Sequence, residues 1–470
     1  MLDALRDALF SVLTRGCQKA AAIGCPVLAV ASVPGRNLDM LSVFARYSPH
    51  MDTNLWFGVA KKSMLGLGVA LECTGWGRDR FATISTTWHA AVKNAVVVGD
   101  ASPIALGGFR FDALRPESPL WRGFADGALV IPRLTILQDK DNYCRIVAAD
   151  YVPPETDVAS RIQRLLSPWE DLENIQGLES VGWEGGITVL ERENEKALWK
   201  GLVYAALDAI SRDGIQKIVA ARMTRVKGAA QFQLPQILSR LRADNPQAAT
   251  FAFGRQGTYF VGATPEILVT AKAGAFQTMA LAGSAPRSED PAQDVRLGQR
   301  LLASDKDRSE HDFVVQAILR ALKKHCRHVV VSPSPTLYKL RRIQHLITYF
   351  SGKIHARSSL LNMIECLHPT PAVGGVPTEP ALAFLREYED IDRGWYAGPV
   401  GWLDAKGNGE FMVALRSGVI HRQDAALFAG CGLVTGSDPE TEYQETRLKL
   451  STLLDGLCPT WKAKPVDCSR

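Results

Sequence analysis

The stretch that most constrains the fold of this chain is residues 429–449, AGCGLVTGSDPETEYQETRLK. It predicts a short apolar strand, a Gly-Ser turn and then a helix. Asp438 suits the N-cap, and Pro439 suits the first helical position, where a missing N–H costs nothing. Glu442 and Glu445 lie three residues apart, so both carboxylates project from one face of that helix. Two like charges placed in this way are unfavourable unless a cation lies near them.

Two interpretations of this acidic pair remain open at this point. The pair could belong to a solvated helix face, with Arg447 and Lys449 as its counter-charges. It could instead hold a divalent cation beside an anionic ligand. Gly430 and Gly432, just upstream, favour the second interpretation, because glycines let a backbone and its N–H groups approach an anion closely.

Composition excludes several other classes of protein. The net charge of +5 comes from 54 basic and 49 acidic residues that are spread along the chain, without the dense basic tract of a nucleic-acid-binding protein. The nine cysteines form no CxxC pair, and we interpret them as reduced thiols. No segment approaches the roughly 18 apolar residues that a membrane span needs. We expect a cytoplasmic protein that does not contact a membrane, and the apolar spacing of its first residues predicts an amphipathic helix.

The first third of the chain is rich in predicted strands. They cover residues 26–32, 63–72, 95–98, 127–138 and 144–151. Helices are few there, and no cluster of residues in this part suggests chemistry.

Lys217 stands out in the strand-like segment GIQKIVAARMTRV, where it shares one face with Val219 and other apolar residues. Desolvation disfavours a charged ammonium, so a lysine in such a place could serve as a general base. It could equally extend from a sheet edge into solvent or pair with an acid. We expect its side chain at the surface of a cleft.

Three further residues are candidates for a site. Glu266 follows a proline at a turn between two predicted strands. Glu310 lies on the apolar stripe of a helix predicted for residues 304–322, where a carboxylate needs a partner such as a metal ion. Arg416 interrupts an apolar strand, which suits a bidentate clamp for a carboxylate.

Eight motifs occur in one order along the second half of the chain. They are KIVAAR (217–222), FVGATPE (260–266), ALAGS (280–284), EHDFVV (310–315), LHPTPAVGG (367–375), YAGPVG (396–401), ALRSGV (414–419) and AGCGLVTGSDPETEYQET (429–446). Together they resemble the chorismate-binding enzymes, which include isochorismate, salicylate, anthranilate and aminodeoxychorismate synthases. The resemblance implies an α+β fold with layered, mostly antiparallel β-sheets and outer helices. Residues 190–465 would form the catalytic region, and residues 1–165 a weakly matched part of the same unit.

The resemblance also implies how substrate and metal are held. Glu310 and Glu445 match residues that bind Mg²⁺ at the ring carboxylate of chorismate, with Glu442 acting directly or through water. Arg416 and Tyr396 match residues that hold the pyruvyl carboxylate.

Other matched positions line the implied pocket. The backbone at Gly432 assists in holding the pyruvyl group, His368 matches the histidine beside the substrate ring, and Gly283 with Ser284 match a turn at the pocket wall. Serine stands at 284 where threonine is more common, and Cys431 stands where alanine is frequent, so we expect altered pocket detail rather than lost activity.

Two positions distinguish the members of the family. At the position of Lys217, members that form isochorismate or salicylate carry lysine, whereas the amine-forming members usually carry glutamine. Ala282 stands where aminodeoxychorismate synthases carry a lysine nucleophile. The resemblance therefore implies a member that uses water. Lys217 would activate it for attack at C2 of chorismate, and Glu266, as a protonated acid, would assist departure of the C4 hydroxyl.

Three alternatives remain beside isochorismate formation. A salicylate synthase would share Lys217 and Glu266. An anthranilate synthase component I is disfavoured by Lys217, and a non-catalytic binding protein should lack one of these groups. The longer N-terminal part resembles members from menaquinone or phylloquinone pathways. We expect chorismate as the ligand, no glutamine amidotransferase subunit, and a monomer or weak dimer.

Overall fold

The computed structural model describes residues 1–461 except 101, 140, 142, 176, 178–184, 191 and 213. Residues 462–465, the end of the predicted catalytic region, lie outside the described residues. The helices of the described part are α1 (Leu2–Ile23), α2 (Met40–Tyr47), α3 (Arg80–Lys93), α4 (Val158–Leu166), α5 (Glu195–Arg212), α6 (Leu234–Asp244), α7 (Pro291–Ala303), α8 (Asp305–Leu322), α9 (Leu360–Leu367), α10 (Thr378–Tyr388) and α11 (Pro439–Leu457). None of them is long and apolar enough to cross a membrane.

The strands of the described part lie between these helices along the chain, singly or in consecutive groups. They are β1 (Val27–Gly35), β2 (Thr53–Phe57), β3 (Ser63–Leu67), β4 (Leu71–Gly75), β5 (Val96–Val98), β6 (Ile104–Phe109), β7 (Gly127–Ile131), β8 (Leu134–Gln138), β9 (Cys144–Val152), β10 (Ile187–Leu190), β11 (Lys217–Gly228), β12 (Ala249–Arg255), β13 (Thr258–Thr264), β14 (Ile267–Lys272), β15 (Ala275–Pro286), β16 (Cys326–Val331), β17 (Thr336–Lys339), β18 (Ile343–Ile354), β19 (Gly375–Val376), β20 (Pro399–Asp404), β21 (Gly409–Val413), β22 (Ser417–His421) and β23 (Asp424–Leu433).

The strands form two large sheets. The larger sheet has the order β10-β11-β23-β22-β13-β12-β2-β3-β8-β9-β1-β5, with β19 beside β11. The smaller sheet has the order β16-β18-β15-β14-β21-β20-β6-β7-β4, with β17 beside β18. Among the described strands only β1 and β5 pair in parallel. The predicted α+β class with mostly antiparallel sheets is therefore confirmed.

The N-terminal part and the later part of the chain contribute strands to both sheets. In the larger sheet β2 pairs with β12, and in the smaller sheet β6 pairs with β20. The cavity described below is lined by residues of the later part, while the N-terminal strands extend both sheets away from it.

Two segments predicted as single strands are pairs of strands, so those predictions were wrong. Residues 63–72 form β3 in the larger sheet and β4 in the smaller one, and residues 127–138 divide in the same way between β7 and β8. Gly68 has a φ of 65°, a conformation that glycine adopts at low cost and that turns the chain between the sheets. Pro132 separates β7 from β8, and its ring nitrogen cannot donate to a sheet.

The main hydrophobic core lies between the sheets. In β12, Phe251 and Phe253 point into this core, whereas Ala252 between them faces a second core under the outer helices. This alternation follows from the period of two along a strand. The second core packs α1, α2, α6 and α11 on the outer face of the larger sheet, through residues such as Leu238 and Leu453. Helix α11 is thereby fixed against β23.

Candidate active site

A cavity of about 210 Å³ lies where β11 and β23 of the larger sheet meet β15 of the smaller sheet and helices α8 and α11. It brings together nine of the eleven residues proposed for the site from the sequence. These are Lys217, Glu266, Gly283, Ser284, Glu310, Arg416, Gly432, Glu442 and Glu445. They come from six separate parts of the chain, so only the folded arrangement makes them neighbours.

Lys217 is the first residue of β11, and its side chain is buried, with 1% exposed. It lines the cavity, as expected for a lysine at a cleft, but it is more deeply buried than expected. Its Nζ lies 2.9 Å from Oε1 of Glu310 on α8. The structure therefore contains the pairing with an acid that the sequence analysis gave as one of two interpretations without a catalytic role. The ion pair nevertheless borders the cavity.

Gly432 leaves room for this ion pair. It lies opposite Val219 in the pairing of β11 with β23. A Cβ at position 432 would stand 2.6 Å from Oε1 of Glu310 and 2.8 Å from Cε of Lys217. Any larger residue would therefore displace one of the two charged groups.

A buried ion pair behind β11 holds the strand in place. Nη2 of Arg393 lies 2.7 Å from the Glu389 carboxylate and also donates to the carbonyl of Val219 at 2.6 Å. The N–H of Ala221 donates to the same carboxylate at 2.9 Å. Both charged side chains are 4% exposed. The sequence motifs do not reveal this pair, because its two residues lie outside the motifs and contact β11 only in the folded protein.

Helix α11 begins as the sequence predicts. The Asp438 side chain accepts a hydrogen bond from the N–H of Thr441 at 2.8 Å, and Pro439 is the first helical residue. This start directs Glu442 and Glu445 toward the cavity. Burial, and then the neighbouring charge of Glu445, raise the pKa of Glu442.

Each of the two α11 acids at the cavity has a lysine partner. Nζ of Lys306 lies 3.5 Å from Oε1 of Glu442, and Nζ of Lys449 lies 2.5 Å from Oε1 of Glu445. Lys449 also donates to the carbonyl of Gly430 at 2.9 Å. The counter-charge role considered for Lys449 is thus present, but inside the cavity rather than on a solvated face.

The donor set fits a divalent cation bound by few protein ligands. In the described part of the chain no three acidic, histidine or cysteine side chains converge closely enough to hold a metal by themselves. Mg²⁺, however, is usually bound through one or two carboxylates, waters and oxygens of the substrate. Glu442 and Glu445 offer such a pair, and their mutual repulsion favours a cation near them.

Glu266 lies at the turn between β13 and β14 and is 3% exposed. Burial raises its pKa to about 7, although the nearby charges of Lys217 and Arg416 act in the opposite direction. A carboxyl group with this pKa carries its proton for much of the time at neutral pH. It can therefore donate that proton as a general acid.

Arg416 occupies the turn between β21 and β22 with a φ of 49°, and it is 8% exposed. Burial lowers the pKa of its guanidinium group. Within the described residues this group has no hydrogen-bond or ion-pair partner, although it borders the cavity. A buried cation without a partner is costly, so this position suits an anionic group of a ligand.

His345 lines the cavity but was not among the sequence candidates. It pairs with Ser284 across β15 and β18, just after the bulge at Gly283, whose φ is 73°. Its Nδ1 lies 3.0 Å from Oγ of Ser284 and 3.1 Å from the carbonyl oxygen of Gly283. Burial holds the pKa of His345 well below its usual value, so the ring is neutral. The residue could have been found from the sequence only if the pairing register of β15 with β18 had been known.

Two predicted residues do not line the cavity. His368 donates from Nε2 to the carbonyl of Phe111 at 3.0 Å and packs against aromatic rings, and burial lowers its pKa to about 3. His345, rather than His368, is the histidine that lines this cavity, and the role of His368 beside the substrate ring stays a prediction. Tyr396 stacks on Phe428 with ring centroids 5.1 Å apart, behind Gly430. Burial raises the pKa of Tyr396 to about 12.

The arrangement can be compared with known proteins. The family model described as chorismate binding enzyme matches residues 15–458. The salicylate biosynthesis isochorismate synthase of Pseudomonas aeruginosa is 37% identical over 454 residues, which cover 96% of this chain and 94% of that protein. Isochorismate synthase MenF of Bacillus subtilis is 32% identical over 463 residues, which cover 93% of this chain and 95% of that protein.

A solved structure has the same fold. The menaquinone-specific isochorismate synthase MenF of Escherichia coli superimposes with a TM-score of 0.76 over 97% of this chain and 100% of its own, at 24% sequence identity. The family match across residues 15–458, together with the identity to relatives over nearly their whole length, shows that this chain belongs to the chorismate-binding enzymes.

Proposed function

We propose that this protein is an isochorismate synthase, an isomerase that converts chorismate to isochorismate with Mg²⁺. The observation that carries the proposal is one cavity in which Lys217, the protonatable Glu266 and the buried Arg416 face the same space. The two curated relatives described above are both named isochorismate synthases, which supports the same reaction.

Lys217 is the proposed base. Its neutral amine would take a proton from water as the water oxygen attacks C2 of chorismate. In the structure the amine is engaged by the carboxylate of Glu310. The base form therefore requires that the carboxylate of Glu310 be engaged elsewhere. Binding of a cation by Glu310 would meet that requirement.

Glu266 is the proposed acid. As water adds at C2 the ring double bonds shift and the C4 hydroxyl departs, taking the proton of Glu266. One group gains a proton and the other loses one, so the isomerisation leaves the net protonation of the site unchanged. The raised pKa of about 7 lets Glu266 start the cycle protonated.

The two carboxylates of chorismate require two cationic places. Arg416 offers one, through a planar guanidinium that suits bidentate contact with the pyruvyl carboxylate. Glu310, Glu442 and Glu445 would hold Mg²⁺ at the other. The metal would neutralise the ring carboxylate and polarise the ring toward attack.

Lys217 also separates this reaction from amine formation. Ammonia needs no strong base, whereas water does, so a lysine at this position supports a water-using enzyme that needs no amidotransferase subunit. Isochorismate is the product proposed for the chain, whichever route consumes it. Elimination of pyruvate to give salicylate is the alternative that a product assay separates.

The test is chromatography of the products from purified protein, chorismate and Mg²⁺, with and without ammonium. We expect isochorismate in a mixture with chorismate. Salicylate with pyruvate would assign the salicylate synthase reaction instead. Anthranilate formed only with ammonium, or no turnover at all, would overturn the proposal.

A further inference from the structure

Lys306 differs from the other two lysines that pair with cavity carboxylates. Lys217 is buried, and Lys449 is held a second time by the carbonyl of Gly430 at 2.9 Å. The Lys306 side chain is 46% exposed, and its one ion pair among the described residues is with Glu442 at 3.5 Å. It is therefore the lysine that can leave its carboxylate most easily.

The side chain of Lys306 borders two spaces, so its ammonium group has an alternative position. Besides the site cavity, Lys306 borders an outer cleft of about 500 Å³ between α5, the start of β11 and α8. Glu310 borders both spaces as well. A change of side-chain rotamer would thus carry the charge of Lys306 from the cavity into the solvated cleft without moving α8.

Leaving Glu442 without a neighbouring cation would cost free energy. Its side chain is 5% exposed, and it lies beside the negative charge of Glu445. An isolated buried carboxylate is costly unless it is paired or neutralised. Lys306 supplies a positive charge at this place.

We propose that Lys306 is an internal counter-ion that competes with a divalent cation for Glu442 and so sets the affinity of the site for that cation. This inference rests on the metal site of the proposed function. Binding of the cation requires Lys306 to leave Glu442. When a competent state is only partly populated, the apparent affinity falls in proportion to its population. If Lys306 occupies the carboxylate about nine-tenths of the time, the apparent affinity is roughly tenfold weaker than without it.

The test is equilibrium binding of Mg²⁺ to substrate-free protein by isothermal titration calorimetry. Lys306→Gln should bind Mg²⁺ roughly 3–10-fold more tightly than the wild type. Lys306→Arg retains the competing charge and should bind no more tightly than the wild type. Arg308→Gln is the matched control, because it removes one positive charge from an exposed position on the same helix. It should change the affinity less than twofold.

Thermal unfolding gives a second readout that does not depend on activity. Without Mg²⁺, Lys306→Gln should melt below the wild type, because Glu442 has lost its counter-ion. Saturating Mg²⁺ should then raise its melting temperature more than that of the wild type. Arg308→Gln should show neither change.

The outcomes separate this inference from the proposed function. Equal or weaker Mg²⁺ binding by Lys306→Gln, or equal tightening in Arg308→Gln, would overturn the competition while leaving a wild-type metal site in place. A wild type that binds no Mg²⁺ and turns over chorismate without it would overturn the metal site, and the inference with it.

Discussion

The two walls of the cavity differ in whether their charged groups have ion-pair partners among the described residues. One wall, the paired wall, carries Glu310, Glu442 and Glu445, and each of these carboxylates has a lysine within salt-bridge distance. The other, the unpaired wall, carries Glu266 and Arg416, which have no ion-pair partner among the described residues. Glu266 avoids the need for a partner through its raised pKa.

The difference indicates which wall is prepared for a ligand. A buried guanidinium without a partner already bears a desolvation cost, so an anion that meets it gains interaction without breaking an existing pair. Carboxylates that already hold lysines must exchange partners before they bind a metal. The unpaired wall is therefore preorganised, and the paired wall has to rearrange.

The largest expected effect comes from breaking the base while keeping its ion pair. Lys217→Arg retains a positive charge near Glu310, but a guanidinium does not deprotonate in a protein. We expect kcat to fall by about 10³-fold or more, at the upper range for loss of general base catalysis. The melting temperature should fall less than in Lys217→Ala, which leaves Glu310 unpaired. Steady-state kinetics and calorimetry provide both values, and turnover near the wild-type level would remove Lys217 from the mechanism.

On the unpaired wall, Glu266→Gln should lower kcat by about 10²–10³-fold. The wild-type kcat/KM should fall as pH rises above about 7, because the substrate-free protein loses the proton of Glu266 there. The residual activity of the variant should lack this alkaline limb. A pH–rate profile measured for both proteins checks the assignment, and an unchanged alkaline limb in the variant would contradict it.

Glu266→Gln should raise the free energy of unfolding at alkaline pH, although it lowers kcat. Folding raises the pKa of Glu266 from 4.5 to about 7, so the protonated form contributes stability that is complete below pH 4.5 and is lost as pH rises through 7. Glutamine is neutral at every pH. Above pH 7 the variant should therefore gain about 3 kcal/mol in free energy of unfolding relative to its difference at pH 4. Denaturant unfolding at both pH values measures this, and a constant difference would show that Glu266 is ionised when folded.

Arg416→Lys sharpens the contrast at the anion position. Lysine retains the charge but loses the bidentate geometry, so we expect KM for chorismate to rise about 10–100-fold, with a smaller change in kcat. Stability should hold, since among the described residues the guanidinium has no carboxylate partner whose charge would be left uncompensated. Lys449→Gln, on the paired wall, should by contrast lower the melting temperature, because it leaves Glu445 unpaired. Equal destabilisation of both variants would remove the distinction between the walls.

The sequence predicted the parts of this site that local chemistry determines. The N-cap at Asp438 and the spacing of Lys449 after Glu445 are helix-local signals, and the structure contains both features. The role of His345 depends on a strand register with Ser284, a residue 61 positions away. The position of His368 outside the cavity lining has a similar cause, because the carbonyl that holds its ring belongs to the N-terminal part, which the motifs matched only loosely. Long-range pairing carries no local signature.

The smallest effect should come from Gly432→Ala, which tests whether the ion pair of the paired wall needs the space that glycine leaves. The new methyl group would meet Oε1 of Glu310 at 2.6 Å and Cε of Lys217 at 2.8 Å, both on side chains that can shift. We expect kcat to fall about tenfold, because a displaced amine is misaligned with water, while unfolding changes little. Gly201→Ala is the control, since a Cβ there meets nothing within 4 Å and α5 should tolerate or favour alanine. Wild-type kinetics in Gly432→Ala would mean that the active position of the Lys217 amine does not depend on the space at Gly432.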